Sequence, residues 1–276
     1  MEISSLQNAR VKQLVQLQQK SQERRRTGLF VVEGQRELMH CIEAGYEVED
    51  VFVECGMWNV EGEYLKLSNI PHSSLHIPHS TIYQVTPQVY EKIAYRGSTE
   101  GIVAVVRERR LILDALQLPA SPLIVILESV EKPGNLGAVL RSADAAGADA
   151  VIVCDPLTDL YNPNLIRASL GACFSVPLIA CSSEECIDFL KQKNIRILTA
   201  QLQDSKLYYD TDMQGPTAIV MGTESTGLTD QWRQAADAHI RIPMLGRMDS
   251  LNVSVSAAIL LFEAVRQRQT VGLTKV

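Results

Sequence analysis

Three stretches of the chain set polar side chains where an apolar run gives way to a turn. In the first, ESVEKPGNLGAVLRSADAAG at 128–147, Pro133 and Gly134 turn the chain, Asn135 is placed to cap a helix, and Gly147 ends that helix. Arg141 follows Asn135 by six residues, somewhat under two helical turns, so its long side chain can reach back towards the helix start. The second, MGTESTGL at 221–228, brackets Glu224 with two glycines, small enough to let a flat ligand approach the backbone. The third, IRIPMLGRMDSLNVSV at 240–255, runs from a short strand through a glycine-containing loop into a helix whose polar entry, Ser250, Asn252 and Ser254, exceeds what a structural helix requires. No two glycines are spaced as GxG, and GxxxxGK[ST] and GxSxG are absent, which removes support for dinucleotide-dependent hydride transfer, nucleotide hydrolysis and serine hydrolysis.

The elements that must position these loops are read from apolar periodicity. Strands are expected at 123–127, 150–154, 195–199 and 217–221, alternating with helices at 135–146, 163–169, 183–193 and 252–268. That alternation implies a parallel sheet covered by helices, with ligands beyond the carboxyl ends of its strands. Ahead of it, helices at 6–20 and 36–44 and strands at 29–32, 51–53 and 101–106 describe a smaller α/β region. The stretch RRLILDALQLPASP reads as a connection, giving a first domain at 1–108, a linker at 109–121 and a second domain at 122–276.

With 46% apolar residues the chain can bury a substantial core, yet no run approaches the roughly 20 residues of a membrane span. Met1 and Glu2 open a stretch with neither secretory nor transit character, so a cytoplasmic protein is expected. The net charge of -6 argues against indiscriminate coating of nucleic acid, but residues 1–30 hold six basic side chains against two acidic ones, ending in Arg24, Arg25 and Arg26. That cluster is either a phosphate-binding surface or a solvated helix end. The six cysteines show no CxxC spacing and read as reduced thiols; His72, His76 and His79 read as incidental loop residues, so no metal is expected.

The three polar stretches, in this order, resemble the signature motifs of the SpoU (TrmH) family of RNA 2′-O-ribose methyltransferases in the SPOUT superfamily. The resemblance spans roughly 122–268, and SNARVKQLVQLQQKSQERRRTGLFVVEG is more loosely similar to the RNA substrate-binding domain often fused ahead of it. It implies a trefoil-knotted α/β domain, an exception to the rule that chains are not knotted. It further implies S-adenosylmethionine as cofactor, held by Gly222, Ile242 and Leu251 with Met244 beside them, and a homodimer through the knotted domain. Asn135, Arg141, Glu224 and Asn252 match the family's polar positions. Thr223, Ser225 and Thr226 depart from the usual second motif, and Asp249 replaces a commoner glutamate.

On this resemblance the reaction is in-line attack of a ribose oxygen on a sulfonium-bound methyl group. Arg141 would stabilise the developing alkoxide rather than act as a base, since a guanidinium stays protonated. Asn135 and Asn252 would fix geometry, and Glu224 would orient Arg141 or a loop amide. Arg24, Arg25, Arg26 and Arg167 are the candidates for RNA contact, with ribosomal RNA placed ahead of transfer RNA. A transfer-RNA methyltransferase, a base-methylating SPOUT enzyme and a non-catalytic RNA-binding or ribosome-assembly protein stand as alternatives.

Overall fold

Val, Ile and Leu dominate the strands of this chain, and where they run unbroken the strand is buried on both faces. The computed structural model describes residues 1–62, 64–67, 74–77, 79–94, 100–223 and 226–273. In chain order the elements are β1 (Glu2–Ile3), α1 (Ala9–Gln19), α2 (Ser21–Thr27), β2 (Leu29–Glu33), α3 (Gln35–Glu43), β3 (Val48–Glu54), β4 (Trp58–Glu61), β5 (Tyr64–Leu67), β6 (Ser74–His76), β7 (Thr81–Val85), α4 (Pro87–Ile93) and β8 (Ile102–Arg107). They continue with β9 (Leu123–Glu128), α5 (Pro133–Ala146), β10 (Ala150–Cys154), α6 (Pro163–Ser169), α7 (Ala172–Ser175), β11 (Leu178–Cys181), α8 (Ser183–Gln192), β12 (Arg196–Ala200), β13 (Lys206–Leu207), β14 (Thr217–Met221), α9 (Asp230–Ala235), β15 (Ala238–Arg241) and α10 (Val253–Leu273). Two compact units result, Met1–Arg109 with Asp159–Ser175, and Arg110–Thr158 with Val176–Val276.

The first unit is built on a five-stranded sheet in the order β1-β7-β3-β8-β2, parallel at β1–β7 and β7–β3 and antiparallel at β3–β8 and β8–β2. Strand alternation sends Leu29 and Val31 to one face, against Val11, Leu14 and Leu17 of α1. Phe30 points the other way and stacks on Tyr161, with ring centroids 4.3 Å apart, and on Phe174 at 6.0 Å. Those contacts explain why 159–175, which lies within the stretch read as the second domain, packs into this unit. The helix expected at 6–20 forms as α1, beginning later at the Asn8 cap and ending at the extended Lys20; the arginine run beyond it is helical as well, in α2, which ends at left-handed Gly28. Of the three histidines His72 lies outside the described residues, while His76 ends β6 and His79 sits in a turn with φ 60°.

The second unit holds a seven-stranded sheet in the order β11-β10-β9-β14-β12-β15-β13, and every adjacent pair is parallel. One face is covered by α8 and α9, with Ile187, Leu190 and Trp232 buried against Ile126, Ile152 and Val220. Helices α5 and α10 pack on each other and on the sheet through Val139, Leu140, Leu260 and Leu261, all fully buried. The stretch after Arg109 is not a free tether: Leu111 bridges to Ile179, and Leu113, Leu116 and Leu118 lie against the core. Among the described residues no helix is long and apolar enough to cross a membrane.

Candidate active site

Because the parallel sheet buries both faces, polar groups of the second unit collect at its strand ends. At the carboxyl end of β9, Glu128 is only 2% exposed, and its two oxygens accept from the Thr229 amide (2.9 Å) and hydroxyl (2.6 Å). The carboxylate thus ties the end of β9 to the loop that follows β14. Sequence reasoning passed over Glu128, because an acidic residue closing an apolar run reads as a solvated strand end.

Helix α5 begins earlier than its sequence indicated. Pro133, with its φ preset for a helix, takes the first helical position after the Lys132 cap, so Asn135 is the third residue of the helix and not its cap. Freed from capping, Asn135 accepts from the Asn252 side-chain amide at 3.2 Å. It is Asn252 that caps: its Oδ1 accepts from the Ser254 amide (2.9 Å) and hydroxyl (2.6 Å) at the start of α10. With one end capping and the other donating to Asn135, the Asn252 amide has its orientation set by the network. Arg141 is exposed on α5, its Cα about 9 Å along the axis from Asn135 at 1.5 Å per residue.

The loop after β14 pinches shut through reciprocal backbone hydrogen bonds between Thr223 and Gly227 (3.1 and 3.2 Å). A Cβ on Gly222 would overlap the backbone of Gly227 and Leu228, so glycine is required for the loop to close. Glu224 and Ser225, at the tip, lie outside the described residues.

Two clefts open at the carboxyl ends of the strands. One is lined by Glu128, Lys132, Asn135, Gly222, Thr223 and Val253. The other is lined by Leu202, Ile242, Met244, Asp249, Ser250 and Leu251 among others. Three of the four expected cofactor residues, Ile242, Met244 and Leu251, thus converge on one cleft, while Gly222 shares the other with Asn135. The entry to α10 borders both, Leu251 facing one and Val253 the other, with Asn252 between them.

The expected RNA-binding arginines lie in the other unit and differ among themselves. Arg24 is 3% exposed; its guanidinium pairs with Asp159 at 2.6 Å and donates to the carbonyls of Leu17 and Gln18. Arg25 and Arg26 are exposed, Arg25 reaching Ser21 and Arg26 forming an ion pair with Glu23 within α2. Arg167 is half-buried on α6, in the segment that packs with the N-terminal unit.

An open parallel sheet with two clefts beyond the carboxyl ends of its strands defines an α/β enzyme whose small-molecule site lies at those ends. Residues 122–262 match the SpoU rRNA methylase family, and residues 8–104 match an MRM3-like substrate binding domain. The chain belongs to the SpoU rRNA methylase family. It is 30% identical over 269 residues to a 23S rRNA (uridine(2479)-2′-O)-methyltransferase of Streptomyces viridochromogenes, covering 95% of this chain and 91% of that one. Among solved structures, an RNA 2′-O ribose methyltransferase superimposes with a TM-score of 0.80 at 38% identity, covering 98% of this chain and 100% of that one. An AdoMet-bound rRNA methyltransferase from Sinorhizobium meliloti superimposes at 0.83 with 26% identity, covering 96% and 97%.

Proposed function

We propose that this chain transfers the methyl group of S-adenosylmethionine to a ribose 2′-hydroxyl of ribosomal RNA. The observation that carries the reading is the Asn135–Asn252 hydrogen bond, which joins the first and third motifs where α10 enters between the two clefts. The relatives that cover nearly the whole chain support ribosomal RNA as substrate and S-adenosylmethionine as donor. The test is transfer of labelled methyl from S-adenosylmethionine to purified ribosomal RNA, followed by an alkaline cleavage ladder. A single protected phosphodiester is expected, because methylation removes the nucleophile for strand scission. Label found in a base, or no label in the ribosomal RNA, would overturn the reading.

The cleft of Ile242, Met244 and Leu251 suits an adenosyl group, with apolar side chains for the purine and Asp249 and Ser250 for polar contacts. Gly222, where no Cβ can be accommodated, keeps the facing loop close. When bound, S-adenosylmethionine supplies an electrophilic methyl on a positively charged sulfur. Asn135 and Asn252 hold the geometry of the ribose, and Arg141 stabilises negative charge on the 2′-oxygen and holds the adjacent phosphate. The proton leaves to phosphate or water, because the arginine donates hydrogen bonds and has no base to offer. Glu224 orients Arg141 or a loop amide.

Residues 1–108, with 159–175 packed into the same unit, bind the RNA, the stretch 109–121 connects, and the remainder of 122–276 carries out the transfer. Arg25, Arg26 and Arg167 contact phosphate, and Arg24 holds the turn that presents its two neighbours. The segment through 242–273 closes a trefoil knot, and two copies pair through this unit. Exposed apolar side chains on that segment, Leu245 at 98%, Met248 at 73% and Phe262 at 48%, support the pairing. Sedimentation showing only monomer at micromolar concentration would refute it. The enzyme works in the cytoplasm, where its RNA is assembled.

A further inference from the structure

Three of the six cysteines meet in space: Cys181 and Cys186 are five residues apart, a spacing that metal-ligand pairs use, and the fold adds the distant Cys154. Cys154 ends β10 and Cys181 ends β11, and the two are register partners across the parallel pair. Cys186 lies in the first turn of α8, and the three sulfur atoms all fall within 4.8 Å of one another. Cys154 and Cys186 are fully buried, whereas Cys181 is half-buried and gives the cluster a way to solvent.

Its frame is well fixed. Asp155, held in a left-handed conformation with φ 49°, accepts from the Ser183 amide (3.2 Å) and hydroxyl (2.6 Å), and Ser183 accepts in turn from the Trp232 indole (3.0 Å). Ser182 and Glu185 form a reciprocal capping box that sets the first turn of α8. The strands and helix that carry the sulfurs are thus anchored by contacts the thiols do not make. Cys181 is hydrogen-bonded to Cys154 and Cys186, and Glu185 and Asp155 act on it more weakly, adding negative potential where a cation would sit.

We propose that Cys154, Cys181 and Cys186 bind one thiophilic divalent metal ion of the zinc class through three thiolates, the fourth position being left to water. A zinc–sulfur bond of about 2.3 Å sets two thiolates of a tetrahedral site about 3.8 Å apart, so the cluster needs to contract by roughly 1 Å at most. Each sulfur that bonds the metal gives its proton to solvent, and no oxidant is required. None of the three lines either cleft at the carboxyl ends of the strands, and β11 and β10 occupy the sheet edge opposite β15 and β13. The ion therefore acts as a clamp joining the edge strand β11 to β10 and α8, independently of methyl transfer. Soft thiolate donors select zinc over magnesium or calcium.

The test is titration of the reduced full-length chain with Co(II), followed by displacement with Zn(II). One equivalent per chain with a sulfur-to-cobalt charge-transfer band is expected, together with a rise in melting temperature on Zn(II) that a chelator reverses. Cys181→Ser and Cys186→Ser should weaken Zn(II) by more than about 100-fold, beyond the roughly 10–100-fold cost of altering an outer-shell partner. Cys55→Ser, outside the cluster, should leave binding intact. No charge-transfer band in the wild-type chain would overturn the site. So would binding that survives Cys181→Ser unchanged or is lost in Cys55→Ser. If Cys186→Ser fails to fold, the wild-type spectrum and the half-buried Cys181 position decide.

Discussion

The two units treat their polar side chains in opposite ways. In the catalytic unit, Asn135 and Asn252 come from stretches far apart in sequence and hold each other, and Asn135 lines an open cleft. In the N-terminal unit, neighbouring arginines on one short helix part company: Arg24 turns inward to Asp159, while Arg25 and Arg26 stay at the surface. A site that does chemistry is assembled from afar and held open, whereas a run of like residues is divided by the helix between stabilising the unit and meeting a partner. The sheets do not share this contrast: each is packed on both faces, the all-parallel one by α8 and α9 and by α5 and α10, the mixed one by α1 and by Tyr161 and Phe174.

The comparison can be broken at its strongest point. Arg24→Ala should destabilise the chain by about 3–5 kcal/mol, because it strands Asp159 and two backbone carbonyls, and chemical denaturation would measure this. A loss below 1 kcal/mol would return Arg24 to the same class as its neighbours. Arg141→Ala, on the exposed face of α5, should instead leave stability nearly unchanged and slow methyl transfer by about 10²–10³, the usual cost of one oxyanion donor. Arg141→Lys should recover part of that rate, since it keeps the charge and loses the planar fork; wild-type rates in both variants would remove Arg141 from the mechanism.

A finer cut separates the two jobs of Asn252. Asn252→Asp keeps an acceptor for Ser254 but cannot donate to Asn135, so melting should change little while the single-turnover rate falls. Asn252→Ala should also lose about 1 kcal/mol of helix capping. Equal stability in the two variants would show that the cap is immaterial. The smallest effect belongs to the surface arginines: Arg25→Ala and Arg26→Ala should each reduce the salt dependence of RNA binding by about one unit of slope, with unaltered melting. An unchanged slope would take α2 out of the RNA interface.

Much of this architecture was legible from one sequence. The apolar runs at 123–127, 150–154 and 217–221 are strands as expected, because unbroken β-branched stretches between helical patterns have few other ways to be buried. Misreadings arose where local signals competed. A proline two residues upstream displaced Asn135 from its cap, and the arginine run after Lys20, which carries no apolar periodicity, forms a helix of its own. Glu128 and Thr229 were invisible, since the partners stand 101 residues apart and neither type is unusual where it occurs. The cysteine cluster escaped in part for the same reason: Cys181 and Cys186 are five residues apart, but Cys154 joins them only through the pairing of β10 with β11.

By itself, then, the order of residues determined the alternation of strands and helices, the polar loops at the strand ends and the family to which the motifs point. Each of these is local, written in periodicity and turn chemistry within a window of about twenty residues. Only the tertiary structure decided that 159–175 packs with the N-terminal unit, that Arg24 is buried while Arg25 is not, that Asn252 meets Asn135 and that three sulfurs converge. Those outcomes depend on which distant surfaces exclude water together, and no local pattern records that competition.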